Sequence, residues 1–440
     1  MHFDQALRYL LDLGHETLAI KLGLRNIELL LKRLGDPQKS YPAVQIAGTN
    51  GKGSTAVMLD SICEAGGIKA GLYTSPHLVS ITERIRIGGD EISRDSFAAH
   101  ATVVRTAAEA LLSENQIEAL PTFFEQVTAI ALAAFRDEKV DLAILETGLG
   151  GRLDATSAAR AKIVGITSIS MDHEQYLGQT LESIAAEKAA VIRPGTRAII
   201  GPQAPEALKV ILDTAKANAV RPSVNECKVQ TVAENPGGQF LVSFQTPGAD
   251  YENILLGLRG RHQLENASVA IRLAESLRTR DFEITHAAIV AGLERAKHAG
   301  RLELWEGRPG LLFDGAHNPA GAKVLRKFLD EFITTPFTLV FGAMEDKKLE
   351  QMAAVLFPAA ARLVLVEPDN PRAAKLETLN RLAERFSDSV SVRTAEGVEE
   401  AIMIAKRITP DNELICVTGS LYLIGGTQSV LKQEQIRSTI

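Results

Sequence analysis

Short apolar runs alternate with stretches of helical period along most of this chain, and no other feature constrains its fold as tightly. Runs that are apolar at nearly every position read as strands buried on both faces, the pattern of a parallel sheet covered by helices. Strands are predicted at Ala43–Ala47, Lys69–Tyr73, Val140–Leu145, Lys162–Ile169 and Arg197–Ile200. Helices are predicted between them, at Ser54–Ala65, Ser93–Leu112, Glu125–Phe135, Leu181–Ile192 and Ala204–Ala217. From about 222 to 258, Pro, Gly and Asn interrupt short alternating segments such as Gln239–Phe244, which predicts a small antiparallel appendage. Helices running from His262 through Leu277 and on through Ala296 lead to His298-Ala299-Gly300-Arg301. Beyond it a second strand series begins, with Leu311–Phe313, Thr338–Phe341, Leu363–Val366 and Leu414–Thr418.

The expected fold is therefore α/β, with a phosphate-loop-containing parallel-sheet domain over 1–297 and a smaller Rossmann-like α/β domain over 298–440. A chain of 440 residues is long enough for two or three domains of roughly 100–200 residues each. A formal charge of −6 lacks the positive balance on which non-specific binding to nucleic acid or anionic membranes draws, so neither is an expected partner. No run of about twenty apolar residues predicts a membrane span. The opening MHFDQALRYLLDLGHE lacks the basic start and apolar core of a signal peptide. Cys63, Cys227 and Cys416 are far apart with no CxxC spacing, which argues against a disulfide framework and fits a reducing, cytoplasmic setting.

Ala43 to Thr55 runs from an apolar strand through a glycine-rich turn into an amphipathic helix. Glycines let backbone N–H groups curl around phosphate oxygens, and the helix N-terminus adds partial positive charge. Lys52 is placed to span β- and γ-phosphates, and Ser54 to ligate Mg²⁺. Thr49, Asn50, Gly51, Gly53 and Thr55 complete the loop. The spacing departs from the common GxxxxGK(S/T) because Gly53 separates Lys52 from Ser54. ATP binding is the inference; the alternative is a glycine-rich turn without a ligand.

Ligands of open α/β sheets gather at the carboxyl ends of strands. Glu146 ends the strand Val140–Leu145 and is a natural magnesium carboxylate. Asp172 and His173 follow the next strand at the same height, with metal or phosphate work as one reading of His173 and a structural histidine as the other. The helix from Thr180 carries Lys188 among alanines, and composition alone reads that lysine as snorkelling to solvent.

Taken together, GTNGKGST (48–55), SPHL (75–78), ETGLGGRLDAT (146–156), MDHEQYLG (171–178), EKAAVIRPG (187–195), GRHQLENA (260–267), DGAHNP (314–319) and TGSLY (418–422) closely resemble folylpolyglutamate synthases and dihydrofolate synthases, within the Mur ligase superfamily. The resemblance runs in order from Leu22-Gly23-Leu24-Arg25 to Tyr422. It implies a Mur-ligase-like ATP-binding domain followed by a glutamate-ligase domain, and ATP and Mg²⁺ as cofactors, with K⁺ and a carbamate on Lys188 as further expectations. Ser54, Glu146 and His173 match the family's magnesium positions, and Lys188 matches the lysine that members carry as a carbamate. Asn266, Arg301 and Asp314 match nucleotide contacts from the far side of the cleft. Asp314, His317 and Ser420 match positions tied to glutamate binding or catalysis. Without the resemblance, Asp314 reads equally as turn chemistry and Ser420 as a helix cap.

Ser75, Pro76 and His77 belong to the matched SPHL segment. Thr122 to Glu125 resembles the pterin-side segment, with Phe123 and Phe124 readable also as core aromatics. Asp154 matches an acid linked to dihydropteroate recognition, or caps the turn after Gly150-Gly151.

The implied chemistry has two steps: a substrate carboxylate attacks the γ-phosphorus of ATP, and the α-amine of L-glutamate then attacks the acyl phosphate. Lys52 and the helix N-terminus stabilise the first step, and Asp314 or His317 accepts a proton or holds glutamate in the second. His173 and Lys188 serve the metal side of the same centre. The expected substrates are L-glutamate, dihydropteroate and reduced folates. A bifunctional synthase is the main reading, with a monofunctional folylpolyglutamate synthase or a cell-wall Mur-type ligase as alternatives. A phosphate-loop kinase or hydrolase would share residues 43–55 but release a phosphorylated product or only phosphate, and a non-catalytic ATP-binding protein would lack some of Lys52, Ser54, Glu146, His173 and Lys188, all of which are present. Both half-sites lie in one chain with no coiled-coil heptads, so a monomer is expected.

Overall fold

The computed structural model describes residues 1–14, 23–278, 282–387 and 390–439. Leu22 of the first motif and His15-Glu16 of the opening segment lie outside the described residues. Eight strands form the first sheet: β1 Ala43–Ala47, β2 Ala70–Tyr73, β3 Ile85–Ile87, β4 Asp90–Glu91, β5 Leu142–Glu146, β6 Ile163–Ile166, β7 Arg197–Ile200 and β8 Ser223–Val224. Their spatial order is β4-β3-β2-β5-β1-β6-β7-β8. β2 through β8 are joined by parallel pairings, and the β3 and β4 edge is antiparallel. β1 therefore lies centrally, with β5 registered on one side (Ile46 opposite Glu146) and β6 on the other (Ala47 opposite Ile166). Loops leaving these three strands open at one edge, which is where ligands bind in such sheets.

β1, β2, β5 and β6 are buried along their whole length, as their unbroken apolar composition requires. One polar exception is Gln45 in β1, whose Nε2 donates to Thr156 Oγ1 (2.9 Å) and Ser157 Oγ (2.8 Å) and so ties the loop after β5 to the central strand.

The appendage is a three-stranded antiparallel sheet of β9 Lys228–Glu234, β10 Phe240–Gln245 and β11 Asp250–Leu255, ordered β11-β10-β9. One face buries Phe240, Val242, Phe244, Tyr251 and Ile254 in the same core as the helices Lys52–Ala65 and His262–Arg278.

The last sheet contains β12 Glu303–Trp305, β13 Gly310–Asp314, β14 Phe337–Phe341, β15 Arg362–Val366, β16 Ser391–Ala395 and β17 Leu414–Thr418, ordered β12-β13-β17-β14-β15-β16. All its pairings are parallel except that of the edge strand β12. The sequence reading missed β12, the antiparallel edge strand. It also missed β16, whose residues are mostly exposed and carry little apolar signal.

Two boundaries differ by three residues from those read in the sequence. The strand predicted to reach Ile169 leaves the sheet after Ile166, because residues 167–170 turn to bond the phosphate loop. The helix predicted to reach Ile192 ends at Ala189, where Ala190 to Ile192 tighten into a turn before Pro194.

The helix Lys52–Ala65, which carries the phosphate loop at its start, is clamped from outside by the helix His286–Arg295. Gly292 makes this close approach feasible: a Cβ there would lie 2.4 Å from Ile62 Cα and 2.6 Å from its backbone nitrogen. Backbone cannot yield as a flexible side chain does, so Gly292→Ala is expected to destabilise the protein by about 1–3 kcal/mol. Thermal unfolding would show this as a lowered Tm, and an unchanged Tm would mean the helices separate without cost.

Candidate functional site

Gly51, at φ +88°, is the N-cap of the helix Lys52–Ala65, so the free amides of its first turn face the cleft. The loop is held from the side by the segment after β6. Thr49 N and Asn50 N donate to Ser168 O (2.8 and 3.2 Å), Thr49 Oγ1 donates to Ser170 O (3.0 Å), and Asn50 Nδ2 donates to Ser170 Oγ (3.0 Å). Lys52 Nζ rests on Thr49 O at 3.2 Å. Gly48 and Gly51 have no room for a side chain: a Cβ would lie 1.9 Å from Thr167 Oγ1 at Gly48 and 2.1 Å from Asn266 Oδ1 at Gly51. Ser54 Oγ accepts from Gln263 Nε2 (3.3 Å) and lies 3.2 Å from His298 Nδ1. Thr55 is fully buried behind the loop, its hydroxyl donating to Asn266 O at 3.5 Å.

Glu146 ends β5 beside the loop, 5% exposed, and accepts from Ser75 N at 3.1 Å. Burial pushes its carboxyl pKa up, and the Lys52 cation opposes that rise. Lys188 is buried rather than snorkelled, correcting the reading from composition. It is 4% exposed, and its Nζ donates to Gly48 O at 2.8 Å. Gly151 lets the helix of Lys188 pack closely on the loop after β5: a Cβ there would lie 3.0 Å from the carbonyl oxygens of Glu187 and Lys188. Burial, then the nearby Lys52, pulls the Lys188 pKa down to about 7.

The cleft, about 900 Å³, lies between the two larger sheets. Thr49 to Ser54, Ser75, Pro76, Thr122, Phe124, Glu146, Asp154, His173, Lys188, Asn266, Arg301, Asp314, His317 and Ser420 all line it, so nearly every residue singled out in the sequence converges there. Thr55 and His77 do not line it. His77 turns its Nδ1 to accept from Arg84 Nε at 2.8 Å.

Several lining groups also have structural partners. Asp154 accepts from Gly148 N, Leu149 N and Thr156 N at 2.8 to 3.0 Å, the geometry of a turn cap. Thr122 and Glu125 form a capping box on the helix Phe123–Asp137. Phe124 tilts against Tyr73 at 6.0 Å and fills the space over Gly148. Ser420 Oγ accepts from Tyr422 N at 3.1 Å, as a helix cap does.

On the far wall Asp314 ends β13. Its two oxygens accept from Leu302 N and Ala316 N, both at 3.0 Å; burial raises its pKa against the pull of Arg301. Arg301 Nη1 donates to Gly315 O at 3.2 Å.

The strongest link across the cleft was not foreseen. Asp172, 9% exposed, accepts from Lys347 Nζ (2.8 Å) and Asn318 Nδ2 (3.0 Å) and faces His317 Nε2 at 3.5 Å. Burial raises its pKa, but His317, His173 and Lys347 outweigh that and hold it well below the usual carboxylate range. Lys347 was missed because it lies in a loop of ordinary polar composition. The available signal was its place just beyond the carboxyl end of β14.

A glycine-rich loop at the centre of a parallel sheet, a buried carboxylate and lysine beside it, and a second sheet supplying Asp314 and His317 form a two-walled cleft. Two family models match the chain: "Mur ligase middle domain" over residues 46–274 and "Mur ligase, glutamate ligase domain" over 300–421. The Bacillus subtilis dihydrofolate synthase/folylpolyglutamate synthase is 35% identical over 95% of this chain and 97% of its own length. The chain belongs to the folylpolyglutamate synthase/dihydrofolate synthase family.

Members of this Mur ligase family are ATP-dependent amide-forming ligases, and so is this chain. Among solved structures of the family, Mycobacterium tuberculosis folylpolyglutamate synthase complexed with ADP superposes with a TM-score of 0.90, at 32% identity over 97% of this chain and 98% of that one. A bifunctional folylpolyglutamate synthase/dihydrofolate synthase with Mn, AMPPNP and L-glutamate bound gives 0.84, at 30% identity over 98% of each chain. Such complexes match a nucleotide and divalent-metal requirement. Of the described residues, no helix is long and apolar enough to cross a membrane.

Gly51→Ala forces a methyl into Asn266 at a left-handed backbone position. ADP affinity by calorimetry is expected to fall at least tenfold, because the loop amides must move. Asp172→Ala removes three cross-cleft contacts at once. The radius of gyration in solution scattering is expected to rise as the two walls part, and an unchanged value would mean that other contacts suffice.

Proposed function

We propose that the chain is a bifunctional dihydrofolate synthase/folylpolyglutamate synthase, ligating L-glutamate to dihydropteroate and to the γ-carboxyl of reduced folates through an acyl phosphate. The observation that carries this reading is one continuous cleft whose nucleotide wall holds Lys52, Glu146 and Lys188 and whose facing wall holds Asp314 and His317. Its pterin-side floor is formed by Pro76, Phe124 and Leu153.

The site fits a magnesium nucleotide. Glu146 supplies one buried hard carboxylate and Ser54 a hydroxyl, and the described residues contain no cage of three His, Cys, Asp or Glu. Mg²⁺ suits such a sparse set because it keeps waters and takes other ligands from phosphates. Ser54, Glu146 and His173 would hold it, and bound there it would neutralise phosphate charge.

This chain's own residues do the rest. Lys52 and the loop amides orient the γ-phosphate, Asn266 and Arg301 position the nucleotide, and Asp314, His317 and Ser420 receive glutamate. His317 Nδ1 is anchored on Gly315 O at 2.8 Å and its Nε2 faces Asp172 at 3.5 Å, so the ring is held on the wall where glutamate would arrive. Division at 297/298, with closure about the Lys297–Arg301 segment, would exclude water from the acyl phosphate.

Lys188, with a pKa near 7, keeps a large neutral fraction at physiological pH. A neutral amine is what carbamate formation requires, and a carbamate would replace a buried cation with an anion. Enzyme in ¹³C-bicarbonate is expected to show a carbamate resonance that grows as pH rises through about 7 and then levels off, and that is missing from Lys188→Ala.

A complete cleft within one chain supports a monomer, and three buried unpaired cysteines support a cytoplasmic setting. Replacing KCl by NaCl in the assay tests the expected K⁺. The main test is ADP release with MgATP and L-glutamate, run separately with 7,8-dihydropteroate and tetrahydrofolate, with product masses checked. Glutamylated product from both supports bifunctionality. Product from tetrahydrofolate alone selects the monofunctional alternative, and glutamate-dependent release with neither overturns the reading.

A further inference from the structure

His298 lies on the segment joining the two walls of the cleft, and in the sequence it marked only a boundary. Its ring is wedged against the phosphate loop. Nδ1 is 3.2 Å from Ser54 Oγ, and a Cβ on Gly53 would lie 2.9 Å from His298 Cε1 and 3.3 Å from Glu146 Oε2. One imidazole from the interdomain segment thus touches Ser54 and packs over Gly53, on the side of the loop where Glu146 also lies.

The hydrogen bonds around Ser54 give this contact a consequence. A serine hydroxyl has one proton and two lone pairs. Asn266 Nδ2 donates to Gln263 Oε1 at 2.8 Å, which turns the Gln263 amide nitrogen towards Ser54, where it donates at 3.3 Å and occupies one lone pair. If His298 Nδ1 also donated, the second lone pair would be used and Ser54 would have none for a metal. If Nδ1 accepts, the Ser54 proton points at His298 and the remaining lone pair is free.

We propose that His298 is a positioning residue for the phosphate loop: carrying its proton on Nε2, it accepts a hydrogen bond from the Ser54 hydroxyl at Nδ1 and so aims a serine lone pair at the magnesium of the bound nucleotide. Because His298 lies on the segment between the walls, a rotation that withdraws it releases the hydroxyl, which links metal affinity to closure. Outer-sphere groups that orient a metal ligand commonly contribute ten- to a hundredfold to metal affinity.

The inference rests on Ser54 being a metal ligand, so the experiment includes Ser54→Ala. The first readout needs no metal or turnover: ¹⁵N shifts of the ligand-free protein are expected to show His298 protonated at Nε2, and a proton on Nδ1 overturns the proposal. The second is Mn²⁺ binding to the ADP complex, followed by electron paramagnetic resonance. His298→Phe, which keeps a ring but has no acceptor, is expected to weaken Mn²⁺ binding about tenfold or more while leaving metal-free ADP affinity within twofold. His298→Asn, which can place an oxygen near the Nδ1 position, is expected to restore most of the loss.

Ser54→Ala is expected to weaken Mn²⁺ at least as much. If Ser54→Ala weakens Mn²⁺ and His298→Phe does not, the positioning role fails and the metal assignment stands. If Ser54→Ala has no effect, both fail. If His298→Asn is as weak as His298→Phe with both at wild-type Tm, orientation by an acceptor is overturned.

Discussion

Everything at this cleft depends on β1 lying between β5 and β6 in a parallel sheet. That order sends three chain segments out of the same edge, and each is cross-braced by its neighbour. The loop after β1 donates two amides to Ser168 beyond β6. The loop after β5 is tied back to β1 through Gln45, and Lys188, on the helix that follows β6, reaches Gly48. The loop is thus shaped before any ligand arrives, which lowers the ordering cost that binding must offset. Glycine makes the bracing feasible: at 48 and 51 the neighbouring side chains occupy the space a Cβ would fill.

Bracing the nucleotide wall does not by itself make a ligase; the second wall must meet it. Asp172 supplies that meeting point at the end of the same β6 segment that props the phosphate loop. Its carboxylate gathers a lysine, an asparagine and a histidine from the other wall in a site largely shielded from water. Charges so shielded interact more strongly than exposed pairs, and they fix relative orientation because each hydrogen bond restricts geometry. A second contact between the walls is apolar: Phe240 of the appendage meets Phe332 at 5.8 Å, and Phe328 packs over Gly238. The small antiparallel sheet therefore acts as a bracket between the walls.

Much of this was legible because parallel strands buried on both faces leave continuous apolar runs, and because a phosphate loop needs glycines at fixed places. β1, β7 and the core strands of the second sheet follow directly from those runs. β16 and β12 were not legible: they are edge strands, and their pairing comes from neighbours rather than from their own composition. The residues converging on the cleft were found by motif, yet their contacts were not. Lys188 looked like a surface lysine until Gly151 let its helix pack on the loop after β5. Lys347 and His298 carried no local pattern, since their significance comes from groups more than a hundred residues away in the chain.

The same long-range origin explains why so many residues that cap backbone also line the cleft. Asp154 caps its turn, Thr122 caps a helix and Ser420 caps another, while each faces the cavity. A side chain whose hydrogen bonds to backbone are already made is held in one rotamer. The Thr122 and Ser420 hydroxyls keep a lone pair at a fixed position, whereas four hydrogen bonds already occupy the two Asp154 oxygens. Capping is thus a means of preorganisation, and reading these residues as either structural or functional sets up an opposition the geometry does not support.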